Sequence, residues 1–377
     1  MDADGIRLLH LSGDARERGR RHGAEIPDLL RRYWNELVLD VTERSDQPMT
    51  ETELRDWVID RAAPALELAP DLEEEVRGIA EGGEVGFELA LAVNLGEECN
   101  HLAYSRGWHS PEAQRCLSVI IPPSQSTTGG YLLAQTWDGP DWTPDPVLFM
   151  VEEGSGRSVY LADPGWVGGV GLNDRGLASV HTGVSTTIDG EPGLPYSFIA
   201  RRIMQRHAIE DAARSVLDLP TTAGCHYVVV DGERVIDVET AGSISATLPY
   251  DGRLISTCAH FSDEDCSARQ SDEGDDRVSR YRVERLLGLV SEHAPVGPLE
   301  LFNLISDHQE GPDGAMVCRH PGKGRSLGGI VIDHLGRKVW GKAGNPCLAR
   351  PVTEVQITSV GFDSRTFLLE EATPAIT

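Results

Sequence analysis

The chain has 377 residues, 40% hydrophobic and 25% charged, enough to bury one large core or two ordinary ones. Its formal charge is -26 and its only lysines are Lys323, Lys338 and Lys342, which makes nucleic acid and anionic membranes poor partners. Seven scattered cysteines with no Cys-x-x-Cys pair argue against a disulfide framework. The chain opens with no basic and apolar leader and has no window near the roughly eighteen consecutive apolar residues of a membrane span, so a cytoplasmic protein is expected.

Residues 1 to about 98 read as mostly helical. Ile26, Leu29, Leu30, Tyr33, Trp34 and Leu37 recur at helical spacing and predict one helix from Asp14 to Val41. A second runs from Asp71, with acids in its first turn, to Gly82. Residues 99 to 115 have no clear period and contain Gly107 and Pro111, so they read as an accessible loop.

From Cys116 to Asp138 the pattern is a β-hairpin. Val119 to Ile121 form one run, Tyr131 to Trp137 the other, and Pro, Ser, Thr and Gly lie between. The hairpin returns Asp138 to the end of the sheet where Cys116 begins it, so a thiol and a carboxylate meet. Strands follow at Val147–Val151, Ser158–Ala162, Gly168–Leu172 and Leu177–His181, the last two joined by a tight turn at Asn173–Gly176. Pro195 to Leu217 reads as one helix, then strands resume at Cys225–Val230 and Arg234–Glu239. Residues 263 to 276 are an acidic loop, Arg277–Val290 and Leu299–Ile305 are helices, and Met316–Arg319, Gly328–Asp333 and Arg337–Gly341 are strands. Elements in this order, without strict βαβ alternation, predict an α+β fold.

Two Cys-x-His pairs, Cys258 with His260 and Cys318 with His320, sit in strand-like segments where both side chains point the same way. They lack the paired cysteines of structural zinc sites, and no metal or cofactor is expected.

The Cys116-Leu-Ser segment followed by Gly-x-x-x-Ala-Gln-Thr-Trp-Asp resembles the isopenicillin N acyltransferase group of N-terminal-nucleophile hydrolases. Further echoes of that group run along the chain in order: the glycines Gly13, Gly19 and Gly23, the Glu75–Gly82 helix, Asn173–Gly176, Ser279-x-x-Arg282, Ser306-Asp-His308, Val317-Cys-Arg-His320 and Gly344-Asn-Pro-Cys347. The glycines themselves read as helix-packing and capping positions. The resemblance implies an αββα sandwich preceded by a helical segment, with residues 1–115 as a candidate propeptide and 116–377 as the catalytic region. It further implies self-cleavage between Arg115 and Cys116, although Arg115 stands where the group usually has glycine.

The freed α-amine of Cys116 would serve as the base for its own thiol, which at an ordinary pKa is only a few per cent thiolate. Cys116, Asp138 and Gln135 are the catalytic candidates that the resemblance marks. Thr182, Gly183 and His260 are candidate oxyanion donors, because Ala259 occupies the position of the group's asparagine. The expected activity is hydrolysis of a small N-acyl amide. Transfer of an acyl group from an amide or a CoA thioester to a small amine is the alternative, and a binding protein on the same scaffold is the third reading.

Overall fold

A computed structural model describes residues 5–107, 116–187, 191–252, 255–257, 261–270, 276–322 and 324–369. Arg115, Cys258, Ala259 and His260 lie outside these.

Most central strands are buried along their whole length, on both faces, which requires cover on each side. In chain order the elements are β1 (Leu8–Leu11), α1 (Ala15–Glu25), α2 (Pro27–Thr42), α3 (Glu51–Leu68), α4 (Pro70–Gly82), α5 (Phe87–Asn94), α6 (Gly96–Ser105), β2 (Leu117–Ile121) and β3 (Leu132–Gly139). Then come β4 (Val147–Glu153), β5 (Gly156–Ala162), β6 (Val170–Asn173), β7 (Ala178–Val184), α7 (Tyr196–Met204), α8 (Ile209–Leu217), β8 (Gly224–Val230), β9 (Val235–Ala241) and β10 (Ile244–Leu248). The last are β11 (Ile255–Thr257), α9 (Glu264–Ser267), α10 (Asp276–His293), α11 (Pro298–Leu304), β12 (Arg325–Asp333), β13 (Lys338–Ala343), β14 (Val352–Ile357) and β15 (Phe362–Phe367).

The strands form two sheets, ordered β1-β4-β5-β6-β7-β8-β9-β10 and β11-β2-β3-β12-β13-β14-β15. Every pairing is antiparallel except β1 with β4. One apolar core joins inward residues of both sheets, among them Ile120, Leu133, Trp137, Val180 and Ile330. A second lies under α10 and α11 and takes the alternate residues of β2 and β3: Leu117, Val119, Ile121, Leu132 and Ala134. Helices α7 and α8 cover the first sheet, as does α1, whose His22 packs on Phe149. The predicted α+β sandwich is therefore the fold.

Several expected boundaries change. The helical N-terminal segment begins with a strand, β1, that extends the first sheet. The Asp14–Val41 helix is two helices, because Ile26 leaves helical geometry (φ -134°) and Pro27 restarts the chain at a first-turn position. Residues 99 to 105 belong to α6 and are not a loop; the rest of that predicted linker, 108–115, lies outside the described residues. The Pro195–Leu217 helix breaks after Met204, where Asn173 Nδ2 donates to the Met204 and Arg206 carbonyls at 3.1 and 2.8 Å. Asp263 opens the expected acidic loop by capping α9, while Met316–Arg319 is irregular and not a strand.

The glycines of the first and fourth helices act as expected. A Cβ on Gly19 would stand 2.0 Å from the Glu75 carbonyl, and one on Gly78 would stand 2.3 Å from that of Arg16, so α1 and α4 touch backbone to backbone. Gly78→Ala should accordingly cost about 1–3 kcal/mol in urea denaturation through overpacking. Gly288→Ala, in α10 with open space around it, should be neutral or stabilising by up to about 1 kcal/mol. Equal effects at the two positions would contradict this packing.

Candidate active site

β2 and β3 pair so that Leu117 faces Thr136 and Ser118 faces Gln135. Strand alternation then sorts the side chains. Cys116, Ser118, Gln135 and Trp137 share the face between the sheets, whereas Thr136 and Asp138 share the face under α10. Half-buried Cys116 lies with Sγ 4.0 Å from the Asp138 carbonyl oxygen. Its thiol is adjacent to the Asp138 backbone. Burial, with the Asp138 charge adding to it, pushes this thiol well above its ordinary pKa.

The Asp138 carboxylate is paired on the other face. Leu286, Leu289 and Val290 bury one stripe of α10 and carry Arg282 down with them. Arg282 Nη2 donates to Asp138 Oδ2 at 2.6 Å, with both side chains wholly inaccessible to solvent. Nη2 also donates to the Val317 carbonyl at 2.9 Å and to Thr136 Oγ1 at 3.3 Å, and Nε to the Met316 carbonyl at 2.8 Å. Asp138 Oδ1 is buried and has no hydrogen-bond partner among the described residues.

Between the sheets, Gln135 Oε1 accepts the His181 backbone N–H at 2.9 Å and latches β3 to β7, while its buried Nε2 has no partner among the described residues. The Thr257 hydroxyl sits between those of Ser118 (2.6 Å) and Thr182 (3.1 Å), drawing the end of β11 to the start of β2. The His181 ring is hydrogen-bonded to Ser179 Oγ and Tyr196 OH. Burial lowers it to about 3, so it is neutral.

An acidic group from α6 completes the surroundings. A Cβ on Gly183 would meet the Glu97 carboxyl at 3.4 Å, and Glu97, when ionised, also acts on Cys116. Burial, reinforced by Glu98 and Asp163, raises Glu97 to about 8; burial alone raises Asp163 to about 7, against the 2.8 Å hydrogen bond it accepts from Trp137 Nε1. At neutral pH Glu97 is thus mostly protonated. Cys99, on the same helix, is fully buried and its thiol is raised by burial.

Of the predicted residues, the structure brings Cys116, Asp138, Gln135, Thr182 and Gly183 to one end of the β2–β3 pair and the facing strand β7. Arg115 and His260 are outside the described residues. Reasoning from sequence missed Glu97 and Thr257, and although it noted Arg282, it gave no role to a residue 144 positions from its partner.

A family model described as acyl-coenzyme A:6-aminopenicillanic acid acyl-transferase matches residues 125–347. The acyl-coenzyme A:6-aminopenicillanic-acid-acyltransferase 40 kDa form of Emericella nidulans is 25% identical over 289 residues, covering 74% of this chain and 76% of that protein. Among solved structures, penicillin V acylase from Agrobacterium tumefaciens aligns with a TM-score of 0.38 at 16% identity, over 64% of this chain and 86% of that one. Conjugated bile acid hydrolase from Clostridium perfringens aligns with a TM-score of 0.44 at 10% identity, over 68% and 98%.

Two measurements probe this electrostatic arrangement. Arg282→Met leaves Asp138 charged and buried, and should cost about 3–5 kcal/mol; Arg282→Met with Asp138→Leu should recover much of that. Equal losses in the single and double variants would mean that the pair is not the source. The second is a pH series. Because the folded pKa of Glu97 is raised, its contribution to stability is complete below 4.5 and fades as pH rises through about 8. Glu97→Gln should flatten the decline of melting temperature across that window, and an unaltered slope would count against a protonated, half-buried Glu97.

Proposed function

The chain belongs to the acyl-coenzyme A:6-aminopenicillanic acid acyl-transferase family, and on that footing we propose that it is a cysteine N-terminal-nucleophile amidohydrolase working through an acyl-enzyme on Cys116. The observation that carries this reading is the unpartnered Oδ1 of Asp138. It is buried on a carboxylate whose other oxygen is fixed by Arg282 and whose main-chain carbonyl lies 4.0 Å from Cys116 Sγ. A carboxylate so placed suits an α-amine released by cleavage between Arg115 and Cys116, which the strand would hold in the plane between the thiol and the carboxylate.

In the proposed reaction the α-amine takes the thiol proton as Sγ attacks the amide carbonyl. Donors to the oxyanion are the backbone at Thr182 and Gly183 and the orphaned Gln135 Nε2, on the same sheet face as the thiol. The tetrahedral adduct collapses, the C–N bond breaks, and the amine leaves with the proton. Water then attacks the thioester and regenerates the thiol. Substrates are small N-acyl amides. A reducing, cytoplasmic setting suits the six described cysteines, all of them free.

Glu97 supports the alternative, transfer to a small amine from an amide or an acyl-CoA. A carboxyl held neutral beside the nucleophile ionises readily when an ammonium arrives, so the pocket favours an amine as leaving group or acceptor. Membership in a family of acyl-transferring enzymes weighs against the binding-protein reading.

Residues 1–115 and 116–377 should remain associated after cleavage. Arg18 of α1 and Glu75 of α4 join Arg201 of α7 and Glu153 of β4 in a buried ion cluster with contacts of 2.7 to 3.4 Å, and β1 stays paired with β4. Intact-mass measurement of purified protein should find these two fragments co-eluting in gel filtration, and Cys116→Ala should remain one chain. An activated ester should then leave its acyl group on the Cys116 peptide. A wild-type chain that stays whole for days and takes no acyl group would end the proposal.

A further inference from the structure

Three loop segments meet beside the second sheet: 306–308 after α11, 317–320 before β12 and 345–347 after β13. They bring together His308, His320 and Cys347, whose metal-binding atoms all lie within 4.8 Å of one another. Cys347 Sγ is 3.5 Å from His320 Nε2, and the two imidazole rings are 5.7 Å apart, edge to face. The Cys318 thiol lies beside that of Cys347.

The loops are tied in place independently of these four side chains. The Cys318 backbone N–H donates to the Asp307 carbonyl at 2.8 Å, Asn345 Nδ2 donates to the Arg319 carbonyl, and Lys342 Nζ donates to the Pro346 carbonyl at 2.6 Å. Nothing in acyl transfer at Cys116 calls for two imidazoles and two thiols here.

We propose that His308, His320 and Cys347, with Cys318 as the fourth donor, bind one zinc-type cation. A tetrahedral ion with Zn–S near ~2.3 Å and Zn–N near ~2.0 Å needs its ligand atoms about 3.3–3.8 Å apart. The 3.5 Å sulfur–nitrogen approach already meets that, small rotations of the exposed histidines bring His308 into range, and the buried Cys318 would have to turn towards the ion from its place beside Cys347. Two thiolates with two imidazoles select zinc over the hard, oxygen-seeking magnesium and calcium. The thiol protons are released to solvent on binding.

The site is coupled to the active site through the chain itself. Met316 and Val317, whose carbonyls hold Arg282 on Asp138, immediately precede Cys318. A metal that fixes Cys318 and His320 would therefore fix the acceptors of Arg282, making this a structural ion that positions the Asp138 carboxylate.

Untagged full-length protein, purified under reducing conditions without chelator from zinc-supplemented medium, should carry about one equivalent of zinc by plasma mass spectrometry, as a closed four-ligand site would. Cys347→Ser and His320→Gln should each lose most of it. Cobalt(II) titrated into the stripped wild-type chain should give thiolate charge-transfer bands and intense tetrahedral ligand-field bands, weakened in His308→Gln, whose exposed side chain can change without unfolding the protein. Zinc should also raise the melting temperature of the stripped chain. The proposal is overturned by reduced protein that holds no zinc and gives no cobalt–thiolate bands, by metal retained in the Cys347 and His320 variants, or by a Cys318–Cys347 disulfide in the metal's place.

Discussion

Withdrawing a guanidinium and a carboxylate from water costs several kcal/mol for each ion, and such a pair persists only where the remaining hydrogen bonds are also made. The Asp138–Arg282 pair nearly meets this condition: Arg282 donates to Asp138, Thr136, Met316 and Val317, and among the described residues Asp138 Oδ1 is left without a partner. That arrangement ties together β3, α10 and the segment leading into β12. It also determines what kind of base can act on Cys116. Strand alternation puts the thiol on one face of the second sheet and the carboxylate on the other, so the carboxylate has no direct line to Sγ. A main-chain nitrogen lies in the plane of the sheet, between the two faces, and an amine at that position can respond to both groups.

The N-terminal segment belongs to the same unit. It supplies the edge strand β1 and half of a buried ion cluster, and it places a neutral His22, lowered to about 3 mainly by burial, where Nε2 accepts the Gly165 N–H at 3.0 Å. Through Glu97 it also reaches the surroundings of Cys116. A propeptide that only waited for removal would need none of this. The segment is packed into the same unit as the sheets, and a break in the chain before Cys116 would change its connectivity without dispensing with it.

What could be read in the sequence was what is local. The Cys116–Asp138 hairpin, the Asn173 turn and most strands follow from alternation and turn chemistry within a dozen residues. The lost boundaries have causes outside that range. The helix after Pro195 gives up its carbonyls to Asn173, about thirty positions earlier in the chain, and α6 lacks a clean apolar stripe because its acid Glu98 is buried and Glu97 half-buried. Arg282 on Asp138 and Glu97 beside Gly183 are contacts between distant elements that carry no spacing signal. The histidine and cysteine cluster shows the same limit: Cys318 and His320 form a short motif, but the partners that make it a donor set, His308 and Cys347, come from two other loops.

The electrostatics around Cys116 bear on why hydrolysis and transfer are hard to separate in such a site. An amine expelled during acylation must gain a proton in a region where burial has suppressed the charge of Glu97 and Asp163. Such carboxyls give up their protons when a cation forms next to them, so they stabilise the departing ammonium more than the neutral amide that precedes it. By microscopic reversibility the same groups hold an incoming amine against the thioester. In the proposed mechanism the nucleophile, its base and the oxyanion donors are then common to both reactions. The outcome of that mechanism depends on whether the amine leaves before water reaches the acyl carbon, a competition set by how far the site excludes water.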